Sequence, residues 1–303
     1  MKEEQTFARN SSPWQQKLKF TYVTISAFLL ACTGSSIFAL LYRPIENYSV
    51  VGLFAGSAVL LSGLVFMTLR LGGVAWIGRS RRIKPIHGRD GGGVAVPGQW
   101  AIYLVLWMIA LSCAVIGFSV WYAQSNGQGA TVATPSRDSA AGAGFMLAVG
   151  VVGLAGMTTL LLLRPINQTH VSTDGIRRID GKGLIRRRRD VLIPWTALSK
   201  VVPTEELVDT RYVTVRHQLV ELHHPGFTHD ERVRLDTEHQ TILRLSQLVA
   251  EPNTLFALID DMHRHPDRRA LLSGPDATAL LTPPPLRERW RAARELRQSS
   301  GKQ

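Results

Sequence analysis

Arg186-Arg187-Arg188-Arg189 is the densest charge in this chain, and the chemistry open to it is anion contact. In an extended strand, four consecutive residues alternate, so two guanidiniums point to each face. Arg177, Arg178 and Lys182 precede them, and with them form one basic hairpin just after Arg164. Anionic head groups attract such residues by about 1 kcal/mol for each Lys or Arg near the surface. Two other readings stand beside this one. The charges are a solvated hairpin that only records membrane sidedness, or they meet a protein partner.

Other chemistries find little support in the residue types. Eight of the nine histidines lie after residue 163, but no HExxH or Cys/His ligand spacing accompanies them. Cys32 and Cys113 both fall inside apolar runs, which points to packing and not to a disulfide or a metal. Asp260 and Asp261 are adjacent, so on a helix they diverge by about 100° and do not form an acid–base pair. No G-x-S-x-G elbow is present. Gly91–Gly93 follow a basic loop without a G-K-[ST], which reads as a flexible linker and not as a phosphate loop. The sequence therefore predicts no catalytic residues, no cofactor and no metal.

The elements that carry these residues are dominated by four uncharged stretches: Phe20–Tyr42, Asn47–Leu69, Gly91–Ser136 and Ser139–Leu163. Each holds an apolar run long enough to cross a bilayer, which takes about 20 residues. Membrane helices are expected at about 20–42, 49–70, 100–123 and 142–163, as a four-helix transmembrane bundle. The first is read as retained and not as a signal peptide, because a polar leader (1–19) precedes it and its run exceeds a usual signal core. Mean hydropathy is only +0.04, because residues 164–303 are charged and globular in character.

Net charge is +12 with a pI near 10.3. Lys2, Arg9, Lys17 and Lys19 in the leader, and Arg79, Arg81, Arg82, Lys84 and Arg89 in the 71–99 loop, contrast with two charge-poor connections at 43–48 and 124–141. The positive-inside rule then sets both termini and the 71–99 loop in the cytoplasm, in a plasma (inner) membrane. Trp14, Tyr22, Tyr42, Tyr48, Trp76, Trp100, Tyr103, Trp121 and Tyr122 suit an interfacial aromatic belt. Small residues recur at packing spacing: Ala27, Ala31, Ser35 and Ala39, then Gly52 and Gly56, then Gly144 and Ala148, followed by Gly150, Gly153 and Gly156. They pack within the bundle or form a homodimer face. The spans hold no ionisable group, which disfavours an ion-coupled carrier.

After Arg164 the pattern shortens to strand-like runs. Asp174-Gly175 and Asp180-Gly181-Lys182-Gly183 give hairpin signals. Strands are expected at Ala197–Val202, Arg211–Arg216, Leu219–Leu222 and Arg232–Leu235, with polar connections at 203–210 and 223–231. Pro252 then opens an amphipathic helix through Met262. The stretch Thr173-Asp-Gly-Ile176, the basic Arg186–Arg189 run into Pro194-Trp195, and the ending from Glu251 to Arg269 resemble the bacterial pleckstrin-homology-like (PH-like) domain. In actinobacterial members this domain is often fused to membrane helices. The resemblance covers about 164–272. It implies an α+β module of two near-orthogonal sheets with one C-terminal helix, and it implies no catalytic residues. In eukaryotic relatives such a basic hairpin holds inositol phosphates. A Pro-rich basic tail (273–303) carries Arg287, Arg289, Arg291, Arg294 and Arg297 opposite Leu286, Trp290, Ala293 and Leu296. It reads as a surface-lying amphipathic helix or a solvated tail.

The expectation is thus a non-enzymatic, membrane-tethered interaction module on the cytoplasmic face. It binds a protein partner, its own copies or anionic lipid head groups, and not nucleic acid. The alternative is a small transport or lipid-handling unit regulated by the cytoplasmic domain.

Overall fold

Uncharged sequence with no strong apolar face folds here as long helices. The computed structural model describes residues 14, 20–42, 48–71, 80–88, 91–127, 139–163, 165–182, 188–209, 214–226, 236–289, 291 and 294. They divide into a helical unit and a β-rich unit.

The helical unit holds α1 (Phe20–Tyr42), α2 (Tyr48–Leu71), α3 (Ala101–Ser125) and α4 (Ser139–Leu162). Among the described residues, three stretches are long and apolar enough to cross a membrane: Thr21–Tyr42, Tyr48–Leu69 and Tyr103–Ser125. In α4 the apolar stretch is the shorter Leu147–Leu162. Hydroxyls bond back to their own helix. Thr33 Oγ1 donates to the Leu29 carbonyl at 2.8 Å, and Ser62 Oγ to Ala58 at 2.7 Å. Ser112 instead reaches across to the Gly56 carbonyl of α2 at 2.7 Å.

Each helix packs on the next in sequence: α1 on α2, α2 on α3 and α3 on α4. Helices that are apolar all round have no single face that must be covered. Phe28, Phe38 and Leu41 of α1, and Phe145 and Val152 of α4, are accordingly exposed.

Among its described residues, the β-rich unit holds eight strands. β1 (Lys84–Gly88), β2 (Gly91–Pro97), β3 (Pro165–Ser172), β4 (Gly175–Lys182) and β5 (Arg188–Pro194) form one antiparallel sheet in that order. β6 (Lys200–Asp209), β7 (Thr214–His223) and β8 (Gln240–Arg244) form a second. Helix α5 (Pro252–Arg264) follows, and 3₁₀ turns at Pro266–Ser273 and Ala277–Leu281 complete the unit.

Several expectations change here. The 71–99 segment is not only a loop, since 84–97 supplies two strands. Gly91–Gly93 is therefore not a linker. Gly91 takes a positive φ of 77° as β2 begins, next to Asp90. A Cβ on Gly92 would lie 2.4 Å from the Ser273 Cα, so the close approach requires glycine. The 203–209 segment is strand and not connection, and Arg216 and Leu219–Leu222 lie on one strand, β7. Asp180-Gly181-Lys182 continues β4 instead of turning. β8 was not expected, and the expected strand at 232–235 lies outside the described residues.

The core forms between the sheets and α5. Val94, Val96, Val171, Ile176 and Ile193 from the first sheet meet Val220, Leu222 and Leu243 from the second, all essentially fully buried. From α5 come Leu255, Phe256, Leu258, Ile259 and Met262, at the spacing of one helical face. Glu251 caps this helix, accepting from the Thr254 N–H at 2.6 Å, with Pro252 in the first turn. Trp14 is buried in the same core, so it is not a membrane-interface aromatic.

Candidate functional site: a divided basic hairpin

Strand parity separates the seven expected cations. In β4 Ile176 is fully buried, and two residues on Arg178 is only 7% exposed, so both point inward. Arg178 is bound, not displayed. Its Nη1 donates to Asp236 Oδ1 at 2.9 Å and to the Ile242 carbonyl at 3.3 Å, and Nη2 bonds Asp236 Oδ2. Its Nε lies 2.7 Å from Asp180 Oδ2. Asp236 Oδ1 also accepts the Ile242 N–H at 3.1 Å. This group ties β4 to the chain entering β8, across the two sheets.

Burial draws the Arg178 pKa down, but the Asp236 hydrogen bond and the nearby charges of Asp180 and Asp236 more than offset it, and the net shift is upward. Burial pushes the Asp180 carboxyl up, and the Arg178 charge only partly opposes this. A guanidinium committed in this way is not available to a head group, so Arg178 leaves the candidate set.

Arg177 lies on the outer face, with Nε 2.9 Å from Asp190 Oδ1. Arg189 is exposed on β5, opposite Asp180. Lys182 and Arg188 are described in backbone only, and Arg186 and Arg187 lie outside the described residues. Register sets Lys182 opposite Pro165, and Arg188 opposite Gly181. Only Leu163 and Arg164 separate Pro165 from α4. The basic end of the hairpin is therefore the end of the sheet at which the chain leaves α4.

The outer face also gains residues that the sequence reading did not include. Register aligns Lys84, Ala95, His170, Arg177 and Leu192 in one row across β1 to β5. Lys84 entered no candidate set because the sequence reads 71–99 as a loop, and His170 was weighed only among the histidines as a metal ligand. A signal was available: Asp90-Gly91 is the same turn dipeptide as Asp174-Gly175, and Val94 and Val96 alternate after it.

The helix-packing residues divide as well. A Cβ on Gly52 would fall 1.9 Å from Ser119 Cβ, and one on Gly56 2.3 Å from Ile116 Cγ1, so α2 meets α3 through both glycines. Ala27, Ala31 and Ser35 are exposed and Ala39 half-buried on α1, Ala148 is exposed, and nothing lies within 4 Å of Gly144. On α4 a Cβ on Gly150 would fall 2.4 Å from the Ala114 backbone.

Histidines serve local structure. His224 Nε2 lies 3.0 Å from Thr241 Oγ1, His217 Nδ1 3.3 Å from Ser246 Oγ, and His265 Nδ1 3.0 Å from Asp261 Oδ1. Burial holds the His224 pKa below its usual value. The start of the tail packs onto the unit: Arg289 is 4% exposed, and burial lowers its pKa against the opposing charge of Glu251. Arg287, Arg291 and Arg294 are exposed, while Trp290, Ala293, Leu296 and Arg297 have no described side chain. Compared with protein-family models, with curated proteins and with solved structures, the chain finds no match.

Proposed function

We propose that this protein is a non-enzymatic, membrane-tethered interaction module whose β-rich unit, PH-like in plan, uses its basic hairpin to engage anionic lipid head groups on the cytoplasmic face of a bacterial plasma membrane. The observation that carries this reading is the register Pro165 opposite Lys182, with Pro165 joined to α4 through Leu163 and Arg164. The start of β3 and the strand positions of Lys182 and Arg188 share one end of the sheet. Each cation near an anionic surface contributes about 1 kcal/mol, so a cluster binds through its sum.

The topology follows the same connectivity. β2 and β3 are paired neighbours, although α3 and α4 lie between them in sequence. Paired strands occupy one side of a membrane, so α3 and α4 cross an even number of times. Because α3 is long and apolar enough to span, this supports α4 as a fourth span. Trp14 is buried in the same β-rich unit, which supports paired crossings by α1 and α2. Loop charges then assign the shared side to the cytoplasm. Two sheets with one C-terminal helix support the PH-like plan.

The test uses the full chain reconstituted in bilayers that contain spin-labelled phosphatidylglycerol or phosphatidylcholine. Wild-type protein should restrict the anionic lipid in preference to the zwitterionic one, and less so as salt rises. Charge reversal of Arg186, Arg187, Arg188 and Arg189 together should remove most of that preference. An unchanged preference sinks the head-group reading.

A further inference from the structure

The Trp14 side chain is 3% exposed. Its ring meets Phe256 of α5 edge-on, with centroids 5.5 Å apart, and its indole N–H donates to the Thr204 carbonyl of β6 at 3.3 Å. The backbone is held separately. Trp14 N–H donates to Asn253 Oδ1, and Asn253 Nδ2 donates to the Trp14 carbonyl, each at 3.3 Å. A paired strand offers an extended peptide the same two-way exchange. Asn253 is itself 7% exposed and oriented by a 3.2 Å bond to Glu251 Oε1, so the receiving amide is preorganised.

We propose that the slot between the first turn of α5 and β6 is a recognition site for an extended, tryptophan-bearing peptide, with the leader as its resident and releasable occupant. Recognition has two layers. Asn253 captures backbone regardless of sequence. The slot against Phe256, with the Thr204 carbonyl as acceptor, selects an indole, since a phenyl ring fills the space without a donor. Release is opposed mainly by tethering, since a short linker holds the leader at an effective concentration in the millimolar range.

The test titrates full-length Trp14→Ala protein in nanodiscs with a labelled synthetic peptide of residues 8–19. Saturable binding is expected. A peptide carrying Trp14→Ala should bind at least tenfold more weakly. Wild-type protein, its site already filled, should take up the native peptide at least tenfold more weakly. No binding, or equal binding by both peptides or both proteins, overturns the proposal. Because Trp14→Ala opens a cavity beside Phe256, a second arm keeps the native residue and inserts a protease site between Trp14 and Phe20. The cleaved leader should stay bound and be displaced by excess native peptide, but not by the Trp14→Ala peptide. A leader lost at the first wash, or one that no excess displaces, counts against it.

Discussion

Arg178 sits where strand parity sends a side chain inward, and it persists there because two carboxylates and a carbonyl receive it. Buried charges survive only with such partners, and removing one partner of a buried pair costs about 3–5 kcal/mol. Arg178→Met should therefore lower the stability of the β-rich unit by about 3 kcal/mol, because it leaves Asp236 buried without its cation. Denaturant unfolding of the full chain, followed by fluorescence, measures this. A companion Asp236→Leu change in the same chain should recover part of the loss. No loss in the single variant would show that water reaches the pair. Arg177, the next residue, shows the opposite fate: it is half-exposed and pairs with Asp190 across the outer face. Such a surface pair is worth at most about 1 kcal/mol. The sequence displays both arginines alike. Alternation predicted that the residues split by face, but only the position of Ile176 against the second sheet decides which one is inside.

At the scale of elements, close helix contact is set by glycines, and spacing alone did not identify which ones. Gly150 lies against the Ala114 backbone, whereas nothing lies within 4 Å of Gly156 on the same helix. Gly150→Val should drive α3 and α4 apart and cost about 1–3 kcal/mol, the usual range for overpacking. Gly156→Val should be silent by the same thermal-unfolding measurement in detergent. Equal effects would mean that α4 presents a different face to α3. The β elements show the converse limit. α5 was legible from Pro252 and its apolar spacing, because a single helix carries its signal locally. β1 and β2 were not, because a three-glycine start hides the alternation of Val94 and Val96. The outer partner of β2, β3, lies beyond two helices in the chain, and strand identity rests on pairing more than on local preference.

For the whole molecule, the central consequence is that the β-rich unit gathers pieces from three regions of the chain: Trp14, the 80–99 segment and the segment after 165. Helical hairpins separate these pieces in sequence. A fragment starting at 165 lacks β1 and β2 and leaves β3 as a bare edge, so the unit is best studied within the full chain. The same assembly constrains sidedness. Single cysteines at Ser136 and at His87, in a chain with Cys32 and Cys113 replaced, should react with an impermeant probe from opposite sides of oriented vesicles. Reaction of both from one side would break the paired-crossing topology.

Composition and charge pattern by themselves determined that this chain has helices fit to cross a membrane and a strand-rich unit closed by one helix. Those properties are written in local runs: the absence of charge over a span, a proline at a helix start, an alternation of apolar residues. The tertiary structure alone decided that β2 pairs with β3 across a helical insertion, that Trp14 belongs to the core, and that Arg178 faces inward while Lys182 pairs with Pro165 at the start of β3. Each depends on pairing between residues distant in sequence, where register and burial set a side chain's surroundings and residue type does not.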